Sequence, residues 1–269
     1  MNERLVVLVV SIATNRYVEF IAPLHASVRQ HWHPSGVDVR FLVLTNQPEA
    51  IPAQPDVLVR PVVHKPWPAM TLERYRLLRE QRDLLAAATW IVYLDADLRM
   101  VQDPGEAFLC RSFAVLHPGY AMASPGTDLP FERRPESTAC VAAADAAPYV
   151  CGGVQGGAAE DFLAMCEELA CATDADSAKG ITARWHDESH HNRYRRDHPP
   201  ERVLPPTFAF PDQASQVRAW GLGGLQPVIL ALSKDHAAYR HGGLGAMCQR
   251  FWQACLPLRR MVARWRGRA

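Results

Sequence analysis

Two aspartates, Asp95 and Asp97, directly follow the short apolar run from Trp90 to Leu94. Carboxylates two residues apart at the end of a strand could share a hard divalent cation, whose other ligands would be phosphate oxygens and water. This DXD spacing therefore favours diphosphate chemistry. Two alternatives stay open: a turn that uses aspartates for local hydrogen bonds, and an aspartyl phosphatase with Asp95 as its nucleophile.

A second polar cluster, the stretch from Trp185 to Asn192, contains two adjacent acids flanked by histidines. His186 and His190 are four residues apart, so on a helix they share a face and could bind zinc. A zinc protease, however, has its general-base glutamate where Asp187 stands. A solvated helix start capped by Asp187 and Ser189 is another alternative. Since tryptophan stacks on sugar rings and carboxylates bind hydroxyl groups, a sugar site is the third.

Glycine pairs and a basic chain end provide weaker signals. The segment from Cys151 to Gly157 contains two glycine pairs, which permit close approach of a ligand or form a turn before a helix. Lys234, Arg240 and His241 could close over phosphates or lie on a solvated basic face. Six arginines and no acid occur from Arg250 onward, among aromatic and aliphatic residues, which suggests peripheral contact with anionic lipid.

The elements that must position these residues alternate between strand and helix patterns. Apolar runs predict strands, and helical spacing from Tyr17 to Trp32 predicts a helix between the first two. The predicted strands are Leu5 to Val10, Val37 to Leu44, Val57 to Val63, Trp90 to Leu94 and Val228 to Leu232. A later helix, containing Phe162 and Leu169, is predicted to end before Thr173. This βαβ order predicts a largely parallel sheet, with Asp95 at the strand edge where ligands bind.

Length and composition narrow the class of protein. The 269 residues are 48% hydrophobic and 21% charged, with a mean hydropathy of −0.14, which is typical of one large or two small globular domains. The net charge of +1 argues against a dedicated nucleic-acid binder. No apolar run approaches the ~18 residues of a membrane-spanning helix. The seven cysteines include no C-x-x-C pair, so we expect reduced thiols in a cytoplasmic protein.

Taken together, these blocks resemble glycosyltransferase family 6, the retaining α-1,3-galactosyl- and N-acetylgalactosaminyltransferases that include the histo-blood-group A and B enzymes and bacterial relatives. The most specific matches are FERRPESTA, from Phe131 to Ala139, and WHDESHHNRY, from Trp185 to Tyr194. The other matching stretches are Ile12 to Phe20, Trp67 to Tyr75, Tyr93 to Asp97, Leu116 to Gly119, Cys151 to Gly157 and Lys234 to Arg240. The resemblance implies an α/β GT-A fold over residues 1–245, a single domain with a Rossmann-like nucleotide-binding half and a mostly parallel central sheet. Residues 246–269 would form a basic amphipathic tail.

The resemblance also implies roles for individual residues. Glu188 matches the family's catalytic carboxylate, and Asp95 and Asp97 match the ligands of Mn²⁺ and the diphosphate. The residues that match donor contacts are Ile12, Ala13, Thr14, Tyr17, Arg74, Asp95, Ala96, Asp97, Cys151, Gly152, Gly153, Asp187, Lys234 and Arg240. The residues that match acceptor contacts are His117, Trp185, Glu188 and Asp212.

The implied reaction is retaining transfer of GalNAc or Gal from a UDP-sugar to the 3-hydroxyl of a β-galactoside, in α linkage, with a divalent metal. Gly153 leaves space for an acetamido group and weakly favours UDP-GalNAc. Val154 and Gln155 replace an aromatic pair of the family. We expect a cytoplasmic enzyme, peripheral at the inner membrane surface, that acts on a glycan acceptor such as a lipid-linked one. A metal-dependent hydrolase and a non-catalytic sugar-binding module are the alternatives.

Overall fold

The computed structural model describes residues 4–124, 127–142, 147–235 and 239. Ten strands and seven α-helices are assigned within these residues. The strands are β1 (Leu5–Ile12), β2 (Val37–Thr45), β3 (Val57–Pro61), β4 (Trp90–Leu94), β5 (Leu98–Met100), β6 (Ser112–Leu116), β7 (Val150–Ala158), β8 (Arg202–Leu204), β9 (Phe210–Pro211) and β10 (Ile229–Ala231). The helices are α1 (Ile21–His31), α2 (Ala69–Leu72), α3 (Arg74–Glu80), α4 (Arg82–Ala86), α5 (Ala159–Ala178), α6 (Asp187–Asp197) and α7 (Ala214–Ala219).

Seven strands form the central sheet in the order β3-β2-β1-β4-β7-β6-β8. The pairs β1/β2, β2/β3, β1/β4 and β6/β8 are parallel, whereas β7 runs antiparallel to both β4 and β6. A smaller sheet has the order β5-β10-β9. This confirms the predicted α/β class with its mostly parallel central sheet, a GT-A-like arrangement.

Apolar residues of the central strands face two separate helical layers, because successive side chains of a strand point to opposite faces. In β1, Val7 and Val9 pack into one cluster with residues of α1 and with Trp32, which directly follows that helix. Leu8 and Val10 pack into the other cluster, which contains α3 and α5. Burial on both faces explains why β1 is a continuous apolar run rather than an alternating one.

Two predicted helix boundaries are wrong. The chain from Asn15 to Phe20 forms a 3₁₀-helix, and the α-helix begins at Ile21. Helix α5 does not end before Thr173 but continues to Ala178, because polar side chains in its last turns are buried and hydrogen-bonded. Thr173 donates its hydroxyl to the Leu169 carbonyl at 2.8 Å, for example. Such local bonds let a polar sequence continue a packed helix.

Three segments meet at one edge of the central sheet. The parallel strands β1 and β4 end there, and the antiparallel strand β7 begins there. Helix α6 packs beside β7 and begins close to the same edge. Among the described residues, no helix is both long and apolar enough to cross a membrane. The predicted tail at 246–269 lies outside the described residues, so the division of the chain at residue 245 stays a prediction.

Candidate active site

A cavity of about 190 Å³ opens at this edge of the sheet. Its lining contains eight of the predicted donor-binding residues, namely Ile12, Thr14, Tyr17, Arg74, Asp95, Ala96, Asp97 and Lys234. Sequence reasoning missed six others that line it, namely His64, Trp67, Met70, Thr71, Tyr93 and Tyr239. Ala13 is fully buried beside Ile21 and Val43, behind the cavity wall. Arg240 lies outside the described residues.

Each carboxylate of the DXD motif has a cationic partner. Asp95 directly follows β4, and its Oδ1 accepts hydrogen bonds from Arg74 Nη2 at 3.1 Å and from the Tyr93 hydroxyl at 3.0 Å. Asp97 forms an ion pair with Lys234, whose ammonium also lies 5.3 Å from the centre of the Tyr17 ring. The motif is therefore a charged wall of the cavity and not only a strand-ending turn.

Arg74 of α3 joins three segments of the site. Its Nη2 contacts Asp95, its Nε lies 3.1 Å from Asp187 Oδ2, and its Nη1 donates to the Gly152 carbonyl. The Arg74 side chain is 10% exposed, and burial opposes its charge. The Asp187 and Asp95 carboxylates outweigh that penalty and raise the pKa of Arg74 well above its ordinary value. Arg74, which lines the cavity, therefore links Asp95 after β4 to Asp187 of α6, which is not part of the cavity lining.

Asp187 and Glu188 are the first two residues of α6 and have different surroundings. Asp187 is 4% exposed, and burial raises the pKa of its carboxyl to about 7. Despite the nearby Arg74 Nε, no donor among the described residues is aligned to hydrogen-bond with Asp187 Oδ2. Glu188 accepts hydrogen bonds from the Tyr149 hydroxyl at 2.8 Å and from the Gly152 N–H at 2.9 Å. Burial also raises the pKa of Glu188. The idea of a solvated helix start is wrong here, because Asp187 is buried.

The two histidines proposed as zinc ligands have separate partners. The His186 ring packs edge-on against Trp67 at 5.0 Å between centroids. His190 is 2% exposed. Its Nε2 lies 3.7 Å from Asp176 Oδ2, and its Nδ1 lies 3.4 Å from the Thr138 hydroxyl. Within the described part of the chain, no group of three potential ligands among His, Cys, Asp and Glu is placed to hold a metal ion.

The glycine segment lies against the acidic motif. The Gly153 carbonyl accepts a hydrogen bond from the Asp95 N–H at 2.8 Å. Gly152 is tied through its N–H to Glu188 and through its carbonyl to Arg74. Cys151 is buried in the core, which raises the pKa of its thiol to about 12, so it is a neutral side chain.

Aromatic residues extend from Glu188 toward the predicted acceptor side. The Tyr149 ring lies 5.8 Å from the His117 ring, and His117 lies 6.3 Å from Trp220, which sequence reasoning missed. Burial lowers the pKa of His117 to about 4, so its ring is neutral near pH 7. Trp185 is 46% exposed. Asp212 accepts hydrogen bonds from the N–H and the hydroxyl of Ser233 at 2.9 and 3.0 Å, and so secures the segment that carries the lysine paired with Asp97.

A GT-A-like domain with strand-end carboxylates in a cavity, joined through a buried arginine to a second acid, is typical of a glycosyltransferase that uses nucleotide sugars. The sequence matches the model of glycosyltransferase family 6 over residues 1–237, and the chain belongs to that family. It is 29% identical over 238 residues to histo-blood group ABO system transferase 1 of Rattus norvegicus, which covers 85% of this chain and 67% of that protein. It is 30% identical over 216 residues to globoside alpha-1,3-N-acetylgalactosaminyltransferase 1 of Canis lupus familiaris, covering 76% and 60% of the two proteins.

A bacterial protein is also similar to this chain. The O-antigen biosynthesis glycosyltransferase WbnI of Escherichia coli is 28% identical over 130 residues, which is 48% of this chain and 55% of that protein. The resemblance predicted from the sequence is thus confirmed, and the comparisons do not favour a metal-dependent hydrolase or a non-catalytic module.

Proposed function

We propose that the protein transfers GalNAc, or Gal, from its UDP donor to the 3-hydroxyl of a β-galactoside glycan, forming an α linkage with retention. One observation carries the proposal: Arg74 contacts Asp95, Asp187 and Gly152, and Gly152 contacts Glu188. Acids separated by nearly a hundred positions are therefore linked through Arg74, which lines the cavity, and through Gly152, and this linkage supports their action on a single donor.

The cavity offers complementary groups for each part of a UDP-sugar. Ile12, Thr14 and Tyr17 line the end assigned to uridine and ribose, and Lys234 supplies a cation for the diphosphate. Asp187 Oδ2 lies 3.1 Å from Arg74 Nε but has no aligned hydrogen-bond donor among the described residues, so a sugar hydroxyl would supply one.

A divalent metal such as Mn²⁺ fits the chemistry of this wall. Asp95 and Asp97 provide two hard carboxylate donors, and phosphate oxygens and water would complete the coordination. When bound, the ion would offset the charge of the departing diphosphate. The ion pair between Lys234 and Asp97 supports this proposal, because it places a positive charge beside the second carboxylate. Metal binding would free the Lys234 ammonium for the diphosphate.

Glu188 is proposed to stabilise the positive charge that develops at C1 of the donor sugar, or to attack C1 directly. The bond from C1 to the UDP oxygen breaks with its electrons leaving on UDP, the acceptor O3 bonds to C1, and the O3 proton passes to the released diphosphate. Attack by Glu188 first would give two inversions and hence retention. The hydrogen bonds from Tyr149 and Gly152 fix one carboxylate oxygen each, which orients the group before the sugar binds.

The aromatic residues beyond Glu188 are proposed to receive the acceptor. His117, Trp185 and Trp220 present ring faces and edges that suit a galactoside, and a neutral His117 nitrogen can bind a hydroxyl group at pH 7. Asp212 contributes by securing Ser233, rather than as a free carboxylate. A cytoplasmic location, and membrane contact through residues 246–269, are further proposals, motivated by the arginine-rich sequence of that segment.

A panel of UDP-sugars with galactoside acceptors tests the function. We expect a product mass increased by one hexose or N-acetylhexosamine, and an NMR spectrum that shows an α-1,3 linkage. UDP release that is independent of any acceptor would instead indicate a hydrolase. Binding of sugar with no turnover under all metal conditions would indicate a binding module.

A further inference from the structure

A buried polar pair lies directly beneath the active site. Gln155 of β7 and Tyr75 of α3 are both 0% exposed. The Tyr75 hydroxyl lies 3.1 Å from Gln155 Nε2 and 3.3 Å from Gln155 Oε1. In the part of the chain that the structure describes, the Gln155 amide is the hydrogen-bond partner of that hydroxyl. Burying such groups costs free energy that an apolar pair of the same shape would avoid, so packing alone does not explain them.

The same amide reaches the functional residues through the backbone of one residue, Gly152. Gln155 Nε2 donates to the Gly152 carbonyl at 2.8 Å, and Arg74 Nη1 donates to that carbonyl as well. On the neighbouring side, the Gly152 N–H donates to Glu188 Oε2 at 2.9 Å. A glycine has no side chain to hold its backbone in place, and Gly152 therefore depends on these hydrogen bonds for its orientation.

The Gly152 N–H and C=O belong to two successive peptide groups, which meet at the Gly152 Cα. The two donors on the carbonyl limit rotation about the Cα–C bond of Gly152 and hold this residue beside Glu188. Displacement of Gly152 would move its N–H away from Glu188 Oε2 and leave that oxygen without its backbone donor. The orientation of the carboxylate would then rest on Tyr149 alone.

We propose that Gln155, anchored by Tyr75, is a positioning residue that holds the Gly152 backbone and thereby aims Glu188 at the reacting sugar carbon. Gln155 does not touch the substrate in this arrangement. The inference rests on the function proposed for Glu188. It also gives a role to a residue that departs from the family pattern, since Gln155 replaces one member of an aromatic pair.

The test uses Gln155→Met, which keeps the length of the side chain and removes its amide. We expect kcat to fall about tenfold while the affinity for UDP stays within about twofold, because misorientation of a catalytic group slows the chemical step. Thr173→Val is the matched control. This substitution also removes one buried hydrogen-bonding group, the Thr173 hydroxyl, which donates to the Leu169 carbonyl within α5. The control variant should keep full kcat.

A double-mutant cycle distinguishes positioning from a general structural effect. In a Glu188→Gln background, Gln155→Met should lower the residual transfer rate less than about twofold, because the group that it positions is already altered. An equal tenfold loss in both backgrounds would overturn the proposal, as would full kcat in a folded Gln155→Met variant.

A second variant keeps the proposal testable if Gln155→Met does not fold. Tyr75→Phe removes the anchor but leaves the bond to Gly152, so we expect a loss of two- to fivefold in kcat that is absent in the Glu188→Gln background. Equal losses in both backgrounds would contradict the inference here too. A wild-type protein that transfers no sugar from any UDP donor would refute the proposed function, whereas an active wild type with unaffected variants refutes only this inference.

Discussion

A Cβ atom placed on Gly153 would lie 2.7 Å from Asp95 Oδ2, closer than a carbon and an oxygen atom normally approach. The carboxylate has little freedom to move aside, because Arg74 and Tyr93 both hydrogen-bond to its Oδ1. The backbone is fixed as well, since the Asp95 N–H donates to the Gly153 carbonyl. The glycine therefore lets β7 approach the DXD motif, in addition to any space that it leaves for the donor sugar.

Gly153→Ala should consequently have two effects. Less space near the sugar would shift the donor preference toward UDP-Gal over UDP-GalNAc. Displacement of Asp95 would weaken metal and donor binding, and we expect the KM for the UDP-sugar to rise about tenfold. Initial rates with both donors, over a range of Mn²⁺ concentrations, measure the two effects.

Gly223→Ala provides the matched control, because a Cβ atom there would meet nothing within 4 Å and the residue has no left-handed backbone. Its donor ratio and KM should equal those of the wild type. An unaltered donor ratio in Gly153→Ala would count against the space argument, and an unaltered metal dependence would count against the contact with Asp95.

Glu188→Gln should abolish most of the transfer. The amide keeps the size of the side chain but cannot supply the negative charge that the transition state requires, so we expect a loss of about 10²- to 10³-fold in kcat. Binding of the UDP-sugar, measured by calorimetry, should persist. Glu49→Gln, at an exposed glutamate, is the control. Unchanged turnover in Glu188→Gln would falsify its assignment.

The buried Asp187 predicts how stability depends on pH. Its pKa is about 7 in the folded protein, and about 3.9 for an unfolded aspartate. Between these values the folded state retains a proton that the unfolded chain has lost, so the free energy of unfolding falls as the pH rises through this window.

Asp187→Asn removes this titration. We compare the unfolding free energies of the two proteins at each pH. The value for the variant minus that for the wild type should increase between about pH 4 and pH 7, by on the order of 1–3 kcal/mol. Above about pH 8 this difference should be constant. Urea denaturation across this range measures it. Two parallel stability curves would show that Asp187 is ionised in the folded protein at all these pH values.

Removal of metal tests the chemistry proposed for the DXD motif. Treatment with a chelator should abolish transfer, and added Mn²⁺ should restore it. Asp97→Asn should lower the affinity for Mn²⁺ about tenfold, since an amide is a poorer ligand than a carboxylate for a hard cation. Electron paramagnetic resonance of Mn²⁺ gives that affinity independently of turnover. Full activity in the presence of chelator would remove the metal from the mechanism.

The local sequence determined the positions of the central strands and of the DXD motif. Apolar runs predicted β1, β2 and β4 closely, because buried parallel strands must be apolar on both faces. The DXD motif could be placed at a strand end for the same reason. The family resemblance identified the acids at 95, 97, 187 and 188, since these side chains do chemistry that few other residues can.

Only the tertiary structure decided how these acids are held. The antiparallel direction of β7 brings Gly153 against Asp95 and places the Gly152 backbone between Arg74 and Glu188. Tyr149 and Gln155 carry no local pattern that marks them, because their partners are 39 and 80 positions away. Spacing along a chain reports neighbours on one strand or helix, whereas these contacts depend on the register between strands and on the packing of helices against them.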